Sequence, residues 1–363
     1  MALIERSTQK YALIALASAA LFGLSAPLAK QLLGGIPAIE LAGLLYLGSG
    51  LGLALFALVR RAEDHHPHHH AVVPLRGSDY GWLGGAIVCG GIVGPVLLLR
   101  GLSDLPASEA SLLLNLEAVF TVVVARAFFR EHVSGRVWLA TAVMLGAGLL
   151  LTWRPGEELQ FSPAALAIGG ACLAWALDNN LTRNISSADP VRTAMVKGFV
   201  AGAANLALAA SVGAFRPPGE AIFAALALGA LSYGASLALY IVAQRHLGSA
   251  RTGAHFATAP FIGAAFALIV FNEGSSTAFW VSLSLMVVAT SLLITERHAH
   301  RHRHERLVHE HAHVHDQHHH HPHPPGDAPV PGHEGEPHTH RHEHQPMAHT
   351  HPHLPDLHHR HEH

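Results

Sequence analysis

Read from its N-terminus, the chain alternates long apolar runs with short polar breaks. Runs of roughly 17 to 25 mostly apolar residues, the length of a helix that crosses a bilayer core, fall at 11–33, 37–59, 80–102, 107–128 and 137–153, then at 163–182, 189–211, 220–243, 252–271 and 277–295. Each predicts one spanning helix, ten in all. Pro37, Pro106, Pro163 and Pro190 stand at or near the starts of runs, where a missing N–H does no harm. The breaks are short, so consecutive helices should be antiparallel neighbours. The expected fold class is an all-α integral membrane protein.

The pattern is written twice. Residues 105–152 align without a gap on 247–294 at an offset of 142: Phe129 meets Phe271, Glu131 meets Glu273, Ser134 meets Ser276, Trp138 meets Trp280 and Met144 meets Met286. Upstream the offset is 153, pairing Phe22 with Trp175, Lys30 with Arg183 and Pro37 with Pro190. The difference, 153 − 142 = 11, places extra residues in the first half around the histidine run 65–70. Such an internal repeat divides the chain into 1–153, with an inserted His-rich loop at 61–78, and 154–295. Five helices per unit make the second unit enter the membrane upside down, the inverted-repeat plan of secondary transporters.

Charge sets the expected orientation. With the N-terminus in the cytoplasm, Arg6, Lys10, Arg60, Arg61, Arg126, Arg130, Arg183, Arg245, Arg251 and Arg297 all border the cytoplasmic side, whereas Lys30, Arg100, Arg154 and Arg216 fall outside. That positive-inside bias predicts a multi-pass protein with both termini cytoplasmic. Half the residues are hydrophobic and 13% are charged, a composition for lipid rather than for a soluble globule. The first apolar run is too long for a signal-peptide core and should remain as the first helix. Small-xxx-small spacings at Gly48/Gly52, Gly90/Gly94 and Gly198/Gly202 suit close helix packing in lipid.

Candidate chemistry is sparse. Cys89 and Cys172 sit alone in apolar runs, so neither a disulfide framework nor a cysteine metal site is expected. There is no P-loop, no Gly-x-Ser-x-Gly elbow and no His-Glu-x-x-His, so the chain reads as no enzyme, with no ATP drive, no required cofactor and no nucleic-acid partner. Expected partners are the lipid bilayer, a small-molecule solute, divalent metal ions and a second copy of the chain as a homodimer. After Thr295 the composition changes: residues 296–363 hold 25 of the 33 histidines and many prolines. A segment so poor in apolar residues is expected to be disordered, apart from a helical continuation near 298–304.

Ten helices in two repeats, Phe22, Gly23, Pro27 and Lys30 in the first run, and LLNLEAVFTVVVARAFFRE ending at Glu131 resemble the EamA branch of the drug/metabolite transporter superfamily. The second copy, FATAPFIGAAFALIVFNE, carries the family's proline at Pro260, where the first has Ala118; the departure leaves no proline to kink that copy. The resemblance covers about residues 11–295. It implies export or uptake of small metabolites, amino acids or drugs.

Polar groups at membrane depth are costly and are therefore candidates for function. Glu117 lies midway along its run, and Ser111 and Asn115, at i and i+4, share a face in the same run. It is either a proton carrier or substrate-cation partner, or a buried carboxylate paired for example with Lys197. His255 and Thr258 occupy the equivalent run of the second half, where the histidine either lines the same cavity or bonds a backbone carbonyl. Tyr233 and Tyr240, seven apart, line a cavity or pack in a core. Asp178, Asn179 and Asn180 are expected to hydrate a helix end, and Glu131 and Glu273 to cap the helices that follow them.

The histidines form a second candidate system. Imidazole is a common ligand for zinc, nickel and cobalt. His65, His66, His68, His69 and His70 form one cluster, and His298, His300, His302, His304, His309, His311, His313 and His315 another. Pairs four apart, such as His298/His302 and His311/His315, would meet on a helix. Proton competition should weaken metal binding below about pH 6. Three functions follow: a secondary transporter of a small organic solute with a metal-binding tail, a transporter of a transition metal or its chelate, and a membrane-anchored metal store or sensor. No row of metal ligands crosses the helices, which favours the first.

Overall fold

The computed structural model describes residues 2–63, 77, 79–129, 133–153, 162–183, 185, 189–213, 219–295, 299–304, 307–313, 338–344 and 347–352. The chain separates into two compact units. The helical body spans Met1–Glu63 and Leu75–Glu296; the second unit comprises Asp64–Pro74 and Arg297–His363.

In the body the first repeat supplies α1 (Ala2–Gly23), α2 (Ser25–Leu32), α3 (Ala38–Glu63), α4 (Asp79–Ala86), α5 (Gly94–Asp104), α6 (Ala107–Leu113), α7 (Leu116–Phe129) and α8 (Gly135–Thr152). The second supplies α9 (Pro163–Arg183), α10 (Pro190–Ser211), α11 (Gly219–Gly229), α12 (Ser236–Leu247), α13 (Ser249–Phe256), α14 (Ala259–Val270) and α15 (Thr277–Ile294). Among the described residues, nine continuous or broken helices are long and apolar enough to cross a membrane, where the hydropathy pattern predicts ten. The exception is α9, a 21-residue helix whose polar run Asp178, Asn179 and Asn180 dilutes its apolar character.

Repeat-equivalent helices pack antiparallel. The α3 and α10 backbones run against each other with Gly43 at Leu206 and Gly50 at Phe199. A Cβ on Gly198 would stand 2.8 Å from the Gly50 nitrogen, and one on Gly202 2.7 Å from the Leu47 nitrogen. The stripe is glycine because backbone fills the space where a side chain would go. Likewise α8 lies on α15, and Arg136 at the start of one donates to Thr295 at the end of the other. Ser134 and Ser276, equivalent residues, each cap their own following helix, accepting from Val137 and Phe279 at 3.3 and 3.1 Å. The buried core runs through Leu41, Leu45, Leu99, Leu112, Phe279 and Met286.

Five spans are interrupted, and four of the interruptions fall in two equivalent pairs. Residues 87–93 and 230–235 are π-helical turns in α4–α5 and α11–α12, in register at the 142 offset. Between α6 and α7, bonds from Asn115 N to Leu112 O and Glu117 N to Leu114 O tighten the chain at 3.1 Å each; between α13 and α14, Thr258 N to His255 O does so at 3.2 Å. The first copy therefore breaks although it has Ala118 in place of the proline. In that copy the Asn115 side chain donates to the Leu112 carbonyl at 2.9 Å; in the other the Thr258 hydroxyl donates to His255 O at 2.6 Å. A side chain that satisfies a freed carbonyl lets a helix break without a proline. The fifth interruption, at Leu24, follows from Pro27, which has no N–H to offer the Gly23 carbonyl.

In the second unit the described backbone forms four strands, where disorder and a helical continuation are expected from sequence. β1 (Ala299–His304) pairs antiparallel with β4 (Met347–Pro352), and β2 (Leu307–His313) with β3 (His338–His344). The alternation H-x-H-x has the period of a strand, not a helix. The register sets His300 opposite His351, His302 opposite His349 and His311 opposite His340.

Candidate functional site

The first π turn is the structural centre of the site. A π turn widens the helix and frees carbonyls, and three side chains from other helices collect them. The Tyr46 hydroxyl on α3 donates to Gly90 O. Trp175 Nε1 on α9 donates to the same oxygen at 3.0 Å. Asn205 Nδ2 on α10, fully buried, donates to Gly91 O at 2.9 Å. Glycine at 90 is required by what lies against it: a Cβ there would fall 2.7 Å from Asp178 Cβ, with the carboxylate nearer still.

Asp178 does not hydrate a helix end, as its place in the sequence suggests. It is 8% exposed and forms an ion pair with Lys197, 18% exposed, on α10; Thr182 Oγ1 donates to its second oxygen at 3.1 Å. The cause is the packing of the π turn between α9 and α10, which brings the end of α9 within reach of Lys197. Lys197 is therefore not the partner of Glu117. That carboxylate, at the start of α7, accepts from Asn179 Nδ2 at 2.7 Å. Asn180, also buried, turns its amide onto Ala176 O at 2.8 Å. Asp178 and Lys197 thus neutralise each other, while the described partner of Glu117 is a neutral amide.

Trp175 and Asn179 are one turn apart on α9 and share a face, so the indole and the Glu117 contact belong to one wall. From Trp175 that wall continues through Tyr46 to Tyr233 on the second π turn, ring centroids 6.0 Å apart. Phe22 lies 5.8 Å from Tyr233 and 5.2 Å from Phe256, and Phe256 lies 5.2 Å from Tyr240. Five rings from α1, α3, α12, α13 and the second π turn line up beside the charged cluster.

The remaining sequence candidates are placed as follows. Ser111 and Asn115 do not continue a face to Glu117, because the helix breaks between them. The Ser111 hydroxyl is buried with no described partner and rests where α6 meets Gly263 on α14. Asn115 and Thr258 are committed to the two breaks. His255 is partly buried beside Phe256, and its backbone oxygen receives Thr258. Glu273 caps a helix, but not the one that follows it: it accepts from Ala107 N and Ser108 N, both at 2.8 Å, at the start of α6. Glu131, His65, His66, His68, His69, His70, His298 and His315 lie outside the described residues. His300, His302, His304, His309, His311 and His313 lie in β1 and β2, not on a helix, so the i, i+4 pairing expected for them does not form there.

Sequence reasoning missed Tyr46, Trp175 and Asn205. Trp175 had a signal, its alignment with Phe22; Asn205 was an amide at membrane depth.

Comparison with known proteins agrees with this architecture. The model of the EamA-like transporter family matches residues 9–153 and again 162–295. An uncharacterized transporter of the archaeon Methanothermobacter thermautotrophicus is 27% identical over 289 residues, covering 75% of this chain and 82% of its own length. A protein solved by crystallography superposes with a TM-score of 0.57 at 17% identity, over 78% of this chain and 95% of the other; at that identity the fold is what is shared. The chain belongs to the EamA-like transporter family and is a multi-pass membrane transporter of small solutes.

Proposed function

We propose that the protein is a secondary transporter of the bacterial inner membrane, with cytoplasmic termini and α9 as its tenth span, that moves a small organic solute by alternating access between two inverted halves. The observation that carries this reading is the meeting of a lone carboxylate, Glu117, with a five-ring aromatic wall at the paired helix breaks. Discontinuous helices and π turns at equivalent depth are the usual sites of transported cargo. Two of the three charges there cancel, leaving one negative charge. The solute suited to it carries a basic nitrogen on an apolar or aromatic body, the nitrogen on Glu117 and the body along Trp175, Tyr46 and Tyr233. A proton occupies the same carboxylate when the solute does not.

The His-rich tail is proposed as a cytoplasmic metal-binding appendage, for zinc, nickel or cobalt, outside the transport path. Flux of a radiolabelled aromatic amine into proteoliposomes tests both parts. Glu117→Gln should abolish proton-driven uptake while leaving expression and monodispersity unchanged. Deleting residues 296–363 should leave amine uptake intact. Wild-type flux in Glu117→Gln would overturn the role of the carboxylate. Nickel flux that is lost on tail deletion would favour a metal transporter instead.

A further inference from the structure

We infer that Glu273 is a latch that holds one mouth of the transporter shut, with Lys30 bracing the loop it grips, and that opening this mouth requires the latch to break. The inference rests on the alternating-access reading and names the residues that set its equilibrium.

The observation begins with an uncapped helix. The residue before α6 is Pro106, whose side chain cannot accept a hydrogen bond, so the first N–H groups of α6 lack a local partner. Glu273 supplies one from the other half of the molecule. Its two carboxylate oxygens take Ala107 N and Ser108 N, one each, at 2.8 Å. Asn272 turns the chain for this purpose: with φ at 49°, the left-handed geometry in which Asn often ends a helix, it stops α14 and places Glu273 beside α6. A carboxylate at a helix N-terminus also meets the positive end of the helix dipole.

Lys30 secures the other side of the same loop. Its ammonium, on α2, donates to Leu102 O at 3.1 Å and to Leu105 O, the carbonyls that end α5. The Ser103–Pro106 link is thus held at one flank by a cation on freed carbonyls and at the other by an anion on freed amides. Glu273 comes from the half that must move relative to this link if the halves rock, while Lys30, in the link's own half, braces the loop that Glu273 grips.

The surrounding packing matches a closed end. At the latch, α6 lies on α14 and α2, and Gly263 brings the α14 backbone against Gly23 and Ser111. Beyond the helix breaks the same two spans part company, α7 resting on α8 and α9 and α13 on α1 and α12. Between these two spans one end is drawn together and the other is not. In the proposed orientation the closed end is the outer one.

Paired spin labels in lipid nanodiscs test the proposal. On a background with Cys89 and Cys172 replaced by alanine, labels at Ser103→Cys and Gly274→Cys report the latched mouth, and labels at Ala127→Cys and Gly253→Cys the opposite mouth. Two charge-assisted hydrogen bonds are lost in Glu273→Ala, so the open-to-closed ratio at the latched mouth should rise by at least about tenfold. Glu273→Gln, which keeps an acceptor oxygen but no charge, should raise it by about threefold, and guards against a folding defect in the alanine variant. Lys30→Met should act in the same direction. Unchanged distances at the latched mouth in both Glu273 variants would overturn the latch. If that mouth widens while the opposite one fails to narrow, the latch stands and the alternating-access reading falls.

Discussion

Asp178 and Lys197 allow the charged cluster to be tested without transport. They stand 19 residues apart on neighbouring helices, 8% and 18% exposed, with Thr182 donating to the carboxylate at 3.1 Å. Removing one member of a buried pair costs about 3 to 5 kcal/mol, because the survivor remains buried without its counter-charge. The partial exposure of Lys197 puts Asp178→Leu near the lower end, at about 3 kcal/mol. Lys197→Met should cost a similar amount, since it leaves the carboxylate against Gly90. The double variant replaces the pair with apolar volume and should cost less than either single change plus about 1 kcal/mol. A coupling of about 2 kcal/mol or more should therefore appear in the double-mutant cycle. Unfolding in mixed detergent micelles, followed by tryptophan fluorescence, reads all four proteins. If the two single costs add to within about 0.5 kcal/mol, the residues are not a pair and the neutralisation argument that singles out Glu117 fails.

Four other substitutions, in two pairs, examine the seam and the breaks in the same assay. In Gly263→Ala the new methyl would stand 3.0 Å from Ser111 Oγ and closer to the Gly23 carbonyl; backbone cannot yield there, so a loss of about 1 to 3 kcal/mol is expected, whereas Gly253→Ala, with open space around it, should change stability by less than about 0.5 kcal/mol. Pro260→Ala should leave the α13–α14 break in place, while Thr258→Val, which strips the donor from His255 O, should cost about 1 kcal/mol; the reverse ranking of those two would show that proline, not the hydroxyl, maintains the break.

What could be read from sequence follows the range of the interactions. The apolar runs and the 142 offset are local or internal comparisons, and they located nearly every helix of the body. Asp178 shows where such reading stops: in the chain it looks like the wet end of a helix, and only the placement of α10 beside it turns it into half of an ion pair. Glu273 is similar, since a capping role follows from its chemistry, yet the helix it caps begins 166 residues earlier. The α6–α7 break had no sequence marker because Asn115, rather than a proline, makes it tolerable. The polar run that serves the site also removed α9 from the spans recognised by hydropathy, so the same residues that were hard to read are those nearest the chemistry.

The duplicated backbone and the unduplicated side chains point to different parts of the transport task. The π turns and the α6–α7 and α13–α14 breaks recur at equivalent positions, giving both halves those places to bend, as a rocking pair requires. The side chains there have diverged. At the 142 offset Glu117 corresponds to Ala259 and Gly91 to Tyr233; at the 153 offset Asp178 corresponds to Ser25, Lys197 to Leu44 and Asn205 to Gly52. The second π turn meets a different partner from the first: Ser236, which follows it, exchanges hydrogen bonds with Ser18 at 2.7 and 2.8 Å, and no charge is involved. Charge is therefore concentrated where α9 and α10 meet the first π turn and α7 meets α9, and aromatic surface where α1, α3 and α12 meet the second and α13 packs on α1 and α12. A symmetric solute would use only half of such a site. A solute with one basic end and one apolar end matches both, which is the cargo chemistry of the proposed reading.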